Sequence, residues 1–182
     1  MGPRVLRSLI HPTQHKAMSY PQLHKARIFR ETHSVYFADA WIPGQNGLDV
    51  VTHYGPAVSP PYLRGEKQFY VHTQQTDFNR VVFGERVFEL VYPDGGHFLV
   101  HLNNDSGALE IPAGVYHRSV SCSTGSVLLN QAVRTPQYDE NNEFHPRTPK
   151  SDEVLLLGSL KPMVMVGDTA RILELIATYD HD

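Results

Sequence analysis

Residues 111–119, Ile-Pro-Ala-Gly-Val-Tyr-His-Arg-Ser, place a proline, a glycine and a histidine in the order P-x-G-x-x-H. Pro112 fixes one backbone dihedral and removes a donor, while Gly114 opens a dihedral region closed to other residues. Together they make a tight turn, and the chain leaving it reads as a β-strand. His117 is therefore aimed by its backbone. On a strand it shares a face with Ser119 and Ser121, and Arg118 and Val120 take the other. An imidazole titrates near neutral pH and, when neutral, ligates transition metals. A histidine held among small polar companions can thus move a proton or hold an ion inside a lined cavity.

The elements that must carry it read as strands. From Ser34 to Val133 short β-type segments alternate with turn chemistry: Ser34–Ala38, Leu48–Tyr54, Phe69–His72, Phe78–Phe83, Arg86–Tyr92, His97–Leu102, Ala108–Ile111, His117–Ser121 and Ser126–Val133. They are rich in Val, Phe, Tyr, Leu and Ile and are bounded by Pro-Gly, Asn-Gly, Asp-Gly-Gly and Ser-Thr-Gly, the spacing of a sandwich or barrel. Val87, Glu89 and Val91 alternate with Phe88, Leu90 and Tyr92, so this strand is apolar toward both faces and lies inside a two-sheet body. His97 and His101 share parity on one strand, which is expected to have one edge in solvent. Residues 136–149 are polar and proline-punctuated, and they read as a surface connection. Asp168 then caps a terminal helix through Tyr179, with Ile172, Leu173 and Ile176 as its apolar stripe.

The fold expected is all-β, a jelly roll with a short C-terminal helix. Residues 1–30 form a basic N-terminal arm or extension, 31–135 the barrel, and 136–182 a loop and helix packing on it. The arm carries Arg4, Arg7, Lys16, Lys25, Arg27 and Arg30 with no acid, and the remainder carries 10 basic against 19 acidic residues. That acidic remainder argues against nucleic acid as a partner. With 182 residues, 41% of them hydrophobic, the chain can bury one core without metal or disulfide staples. The single cysteine, Cys122, fits a reducing compartment, so cytoplasm is expected. No apolar run reaches membrane-spanning length, so no membrane association is expected.

The Pro112–His117 motif resembles the second motif of the cupin superfamily, whose histidine is a usual metal ligand. The first cupin motif carries H-x-H, then three or four residues and a Glu, then six residues and a Gly. Counted back from Gly84, those positions fall on Tyr70, His72 and Asp77, so the resemblance implies a site altered at one histidine and at the acid. Two histidines and an aspartate suffice for a facial triad around one divalent ion, Fe, Mn, Zn or Ni. Tyr70, His72 and Gln74 alternate onto one strand face, which offers Gln74 as a weak oxygen ligand in place of Asp77. The alternative is that His72 is a hydrogen-bonded lining residue and no metal is bound.

A closer resemblance is to the dTDP-4-dehydrorhamnose 3,5-epimerase family of RmlC-like cupins, which uses no metal. Leu63-Arg64-Gly65, Gln75, Arg80-Val81-Val82 with Gly84-Glu85, and the Ile111–His117 motif carry it, and Thr135, Tyr138 and Glu143 resemble its threonine-tyrosine-glutamate stretch. The resemblance implies a polar, sugar-like ligand held by Arg64, Gln75, Arg80 and His117, since a guanidinium offers paired donors to an anionic group. The family's base histidine falls on Lys67 and its partner aspartate on Pro162, neither of them equivalent. Lysine serves as a base only if burial lowers its pKa. A shifted alignment puts His72 in that role, with Tyr138 as the acid. The expected function is an isomerase or epimerase-type enzyme. Its rivals are a metal-dependent cupin such as a dioxygenase, using His72, Gln74 or Asp77, and His117, and a binding protein without catalysis. A homodimer is expected on symmetry grounds.

Overall fold

The structure is a computed structural model that describes residues 20–33, 36–39, 41–148 and 162–179. Residues 1–19 of the expected basic arm lie outside the described residues, as do Ser34 and Val35 of the first expected strand. In chain order the described strands are β1 (Gln22–His24), β2 (Arg27–Glu31), β3 (Tyr36–Asp39), β4 (Gly47–His53), β5 (Val58–Ser59), β6 (Tyr70–Val71), β7 (Gln75–Val91), β8 (His97–Leu102), β9 (Ala108–Ile111), β10 (Tyr116–Arg134) and β11 (Val164–Val166). The described helices are α1 (Glu140–Glu143) and α2 (Thr169–Ala177). No described helix is long and apolar enough to cross a membrane.

Two long strands organise the body. β7 and β10 run antiparallel to each other; β7 also pairs with β8 and β9, and β10 with β4, β5 and β6. β1 extends the β9 edge and β11 lies parallel beside β8, while β2 and β3 make a separate two-stranded sheet. This is the all-β jelly roll with a short C-terminal helix that the sequence predicts.

Four of the segments expected from the sequence are parts of two strands. Phe78–Phe83 and Arg86–Tyr92, save its last residue, belong to β7, and His117–Ser121 and Ser126–Val133 to β10. At the join the ladder jumps from Ser121 opposite Arg86 to Ser126 opposite Gly84. Gly84 (φ 71°) and Gly125 (φ 79°) sit there, and a Cβ on Gly84 would lie 2.2 Å from the Gly125 carbonyl oxygen. No side chain fits so close an approach at a positive φ. The irregularity reverses the alternation along β7: Asp77, Asn79 and Val81 face inward before it, and Arg86, Phe88 and Leu90 after it.

Strand β7 is apolar toward both sides, as expected. Phe88 and Leu90 join Phe98, Val100, Leu109 and Leu128 in the inner core, and Val87 joins Leu99, Val120 and Cys122 beneath α2. Each side chain so buried stabilises by about 1.5–3 kcal/mol. The Asp168 carboxylate caps α2 by accepting from the Ala170 and Arg171 amides. The apolar stripe needs correcting, because Leu173 is 55% exposed and Leu175 is buried beside Ile172. At 100° per residue, 172, 175, 176 and 179 make one face. The β8 expectation also fails: His101 is buried and His97 half-buried, because β11 covers that edge.

Candidate active site

A hollow of about 270 Å³ opens against the inner face of β7 and β10, lined among others by His72, Asp77, Asn79, Arg86, His117 and Phe144. The turn that aims His117 forms as its sequence requires: Gly114 has φ 85°, and the Val115 amide donates to the Pro112 carbonyl at 3.1 Å. The Gly114 amide then donates to the His72 carbonyl at 2.7 Å, so the same turn positions the second histidine. The two rings lie with centroids 4.9 Å apart, and both residues are buried.

Hydrogen bonding fixes both tautomers. His72 Nδ1 lies 2.9 Å from the Glu143 carbonyl and His117 Nδ1 lies 3.2 Å from that of Val115. A carbonyl only accepts, so each Nδ1 carries a hydrogen, and in the neutral ring each Nε2 keeps its lone pair. Those two Nε2 atoms face Asp77 Oδ2, at 3.5 Å from His72 and 3.8 Å from His117. Asp77 Oδ1 is occupied separately, accepting from Gln75 Nε2 at 2.6 Å and Asn130 Nδ2 at 2.9 Å. Asn130 Oδ1 accepts from the Phe78 amide and Gln75 Oε1 from Arg134 Nε, so neither amide can turn round. When both rings are neutral, three electron pairs converge on one space with no hydrogen to share. Burial pushes the His117 pKa down to about 4, with His72 adding to the effect and Asp77 opposing it. Such a set takes up a proton, a substrate donor or a cation.

The roof comes from a segment that the sequence reading treats as a surface connection. Glu143 is buried, and its carboxylate accepts from the Thr73 amide, the Thr73 hydroxyl and the Gln74 amide at 2.6, 2.8 and 3.1 Å. Burial alone would raise its pKa; those donors outweigh it and hold the carboxyl low. The residue that follows, Phe144, stands edge-on to His72 at 4.8 Å between centroids and closes one side of the hollow.

Arg86 is the cation among the lining residues, 2% exposed. Its Nε donates to Ser126 Oγ at 2.7 Å and its Nη2 to the Val51 carbonyl at 2.8 Å. Burial lowers its pKa to about 10, which leaves it charged at neutral pH. His53, bonded to Ser121 Oγ, is pushed down to about 4 by burial and by the Arg86 charge.

Several residues named from the sequence lie elsewhere. Lys67 is on the outer side of the sheet, 3.6 Å from Glu89 Oε2, and Arg64 is exposed in the Leu63–Glu66 turn. Arg80 is out of phase with Asp77 and Asn79 and does not line the hollow. Gln74 does not alternate with His72, because β6 ends at Val71; its amide oxygen accepts from Thr135 Oγ1 instead. Gln75 orients Asp77 and is not among the lining residues. The Tyr138 ring packs on the Arg134 guanidinium at 4.4 Å, outside the lining, and burial raises its pKa, which Arg134 only partly offsets. Pro162 is exposed and lines no part of the hollow.

No family model matches the chain, and no curated relative does. Solved structures do. The 3,4-ketoisomerase QdtA of Thermoanaerobacterium thermosaccharolyticum, a double mutant in complex with TDP, is 20% identical over 68% of this chain and 86% of its own, with a TM-score of 0.50. The dTDP-6-deoxy-D-glucose-3,5-epimerase RmlC of Legionella pneumophila, in complex with dTDP-4-keto-L-rhamnose, is 12% identical over 79% and 80%, at 0.52. ChmJ, a 3′-monoepimerase of Streptomyces bikiniensis, solved as a double mutant in complex with dTDP, is 15% identical over 79% and 78%, at 0.54. At such identities the likeness speaks for the fold, and by strand order, core and these neighbours this chain has the RmlC-like cupin jelly-roll fold.

Proposed function

We propose that this chain is an isomerase or epimerase-type enzyme that moves a proton on a polar, carbonyl-bearing, sugar-like substrate inside the barrel. The observation that supports it is the convergence of His72 Nε2, His117 Nε2 and Asp77 Oδ2 on one buried space. His72 is the base: its Nε2 takes a proton from the carbon beside the carbonyl, and the bonding pair moves to form an enolate. The new imidazolium is stabilised by Asp77 Oδ2 and by the Nδ1 bond to Glu143. Arg86 supplies the positive charge for the enolate oxygen. His117, held neutral by its lowered pKa, accepts the hydrogen of the neighbouring substrate hydroxyl and passes that proton to the enolate oxygen, while His72 returns the carbon proton to the former carbonyl carbon, so the carbonyl moves by one position and every enzyme group ends as it began. The hollow sits at the lower edge of the usual range of about 300–1,000 Å³, which suits one sugar ring. A TDP sugar and a dTDP sugar are bound in two of the similar folds, which supports a sugar-like guest here. A homodimer belongs to this reading: β4 pairs only with β10 among the described strands, and its Leu48 and Val50 are exposed.

The same three atoms favour a second reading. Both Nε2 lone pairs are free of hydrogen and both Nδ1 hydrogens are held by backbone carbonyls, the arrangement of metal-ligating histidines. His72, Asp77 and His117 thus fit one divalent transition metal, which when bound would supply Lewis-acid or oxygen chemistry.

The test is solvent-deuterium exchange into a panel of keto sugars, free and TDP-linked. Exchange by the chain, reduced about 10²-fold or more in a folded His72→Asn variant, is expected. Saturable binding without exchange would make this a binding protein. A stoichiometric metal that is lost in His117→Ala would favour the second reading.

A further inference from the structure

Two parts of one residue, Glu143, hold the His72 ring from outside the hollow. Its main-chain oxygen lies 2.9 Å from His72 Nδ1. Its carboxylate accepts from the Thr73 amide, the Thr73 hydroxyl and the Gln74 amide, the two positions that follow His72 in the chain. The side chain thus grips the backbone beside the imidazole, and that grip sets where the carbonyl stands. Glu143 is 4% exposed and is not among the residues lining the hollow.

A neutral imidazole carries one N–H, and here two acceptors compete for it. The Glu143 carbonyl stands at Nδ1, and Asp77 Oδ2 stands 3.5 Å from Nε2. A carboxylate is the stronger acceptor, so without the nearer carbonyl the hydrogen belongs on Nε2. The ring would then present a donor to the hollow and no lone pair for a proton on carbon. The segment carrying Glu143 has other fastenings. At one end the Thr135 amide donates to the Gln74 carbonyl and the Thr135 hydroxyl to the Gln74 side-chain oxygen; at the other, Phe69 and Arg147 exchange backbone bonds of 2.9 and 2.7 Å. Loss of the carboxylate therefore leaves the segment attached and frees the ring.

We propose that Glu143 is the positioning residue that keeps His72 a base. Its side chain holds its own main-chain oxygen against Nδ1, and this fixes the tautomer of His72 against the pull of Asp77. That role rests on the proton transfer proposed above; the tautomer does not.

Nitrogen NMR of the His72 side chain in alkaline buffer, on the full chain treated with chelator, is the first measurement, and deuterium exchange into the keto-sugar panel the second. In wild type the hydrogen is expected on Nδ1. In Glu143→Ala it is expected on Nε2 in about half of the molecules or more, with kcat for exchange about 10- to 100-fold lower and KM within about twofold. Glu143→Gln keeps the length of the side chain and an oxygen for the two amides, and is expected to restore the Nδ1 hydrogen and most of the rate. Asn142→Ala, which loses a bond to Asp139 within the same segment, is expected to change neither reading. Should Glu143→Ala fail to fold, Glu143→Asp, one methylene too short for the grip, takes its place. A His72 hydrogen that stays on Nδ1 when the grip is removed would overturn the proposal, even with slower exchange. Exchange absent from wild type would sink the epimerase reading instead, and the tautomer shift would still decide what Glu143 holds.

Discussion

Two side-chain clusters lie back to back across one sheet, and their chemistries differ. Consecutive residues of β10 enter them: His117 joins His72 and Asp77 in the inner cluster, and Arg118 goes outward, where its Nε and Nη2 meet no hydrogen-bond acceptor among the described residues. The inner cluster can take up a proton, a substrate donor or a cation; the outer one keeps a guanidinium over the Tyr62 ring and near the Glu89 carboxylate. The period-two alternation of a strand is enough to separate the two chemistries by a single position.

The sharpest way to break the contrast is to give the inner hollow the hydrogen it lacks. In Asp77→Asn an amide Nδ2 replaces Oδ2 and donates toward the imidazoles, while Oδ1 still accepts from Gln75 and Asn130. Turnover is expected to fall by about 10²-fold or more, measured by deuterium exchange. The next effect is on stability against pH. His53 and His117 are both pushed down to about 4 from an ordinary value near 6.5. Above that ordinary value both states are neutral. Between about pH 6.5 and 4 the unfolded chain binds protons that the folded chain refuses, so stability falls as pH drops through that window and levels off below it. The loss is on the order of a few kcal/mol for the two histidines together, with less from His53 because solvent screens part of its shift, and urea midpoints across the window check it. The smallest effect again belongs to Asp77→Asn, which should unfold about 1 kcal/mol harder than wild type, because a buried acceptor clash becomes a hydrogen bond. A variant less stable than wild type would show that the carboxylate is already satisfied.

The sequence made much of this readable, and its failures have physical reasons. His117 followed from Pro112 and Gly114, whose turn is local. His72 and Asp77 followed from counting back from Gly84, and the structure brings all three residues together. Arg86 and Asn130 were missed as lining residues because the Gly84–Gly125 irregularity shifts the inward parity halfway along both long strands. A signal existed: the inward apolar positions change from odd at Val81 to even at Phe88 and Leu90. Lys67 was misplaced because an ungapped count ignores the Leu63–Glu66 turn, which sends the next residues to the outer face. Glu143 stood out only through a family resemblance. Its partners, Thr73 and Gln74, are about seventy residues away, and no periodicity in a polar loop announces so distant a contact.

The central claim is that His72 and His117 turn their Nε2 atoms toward Asp77 while backbone carbonyls hold their Nδ1 hydrogens. Nitrogen NMR of the histidine side chains at neutral pH, on protein treated with chelator, reads this directly. The account predicts that both rings carry a hydrogen at Nδ1 and that His117 is bare at Nε2. A ring bare at Nδ1, or a hydrogen on Nε2 of His117, would contradict it.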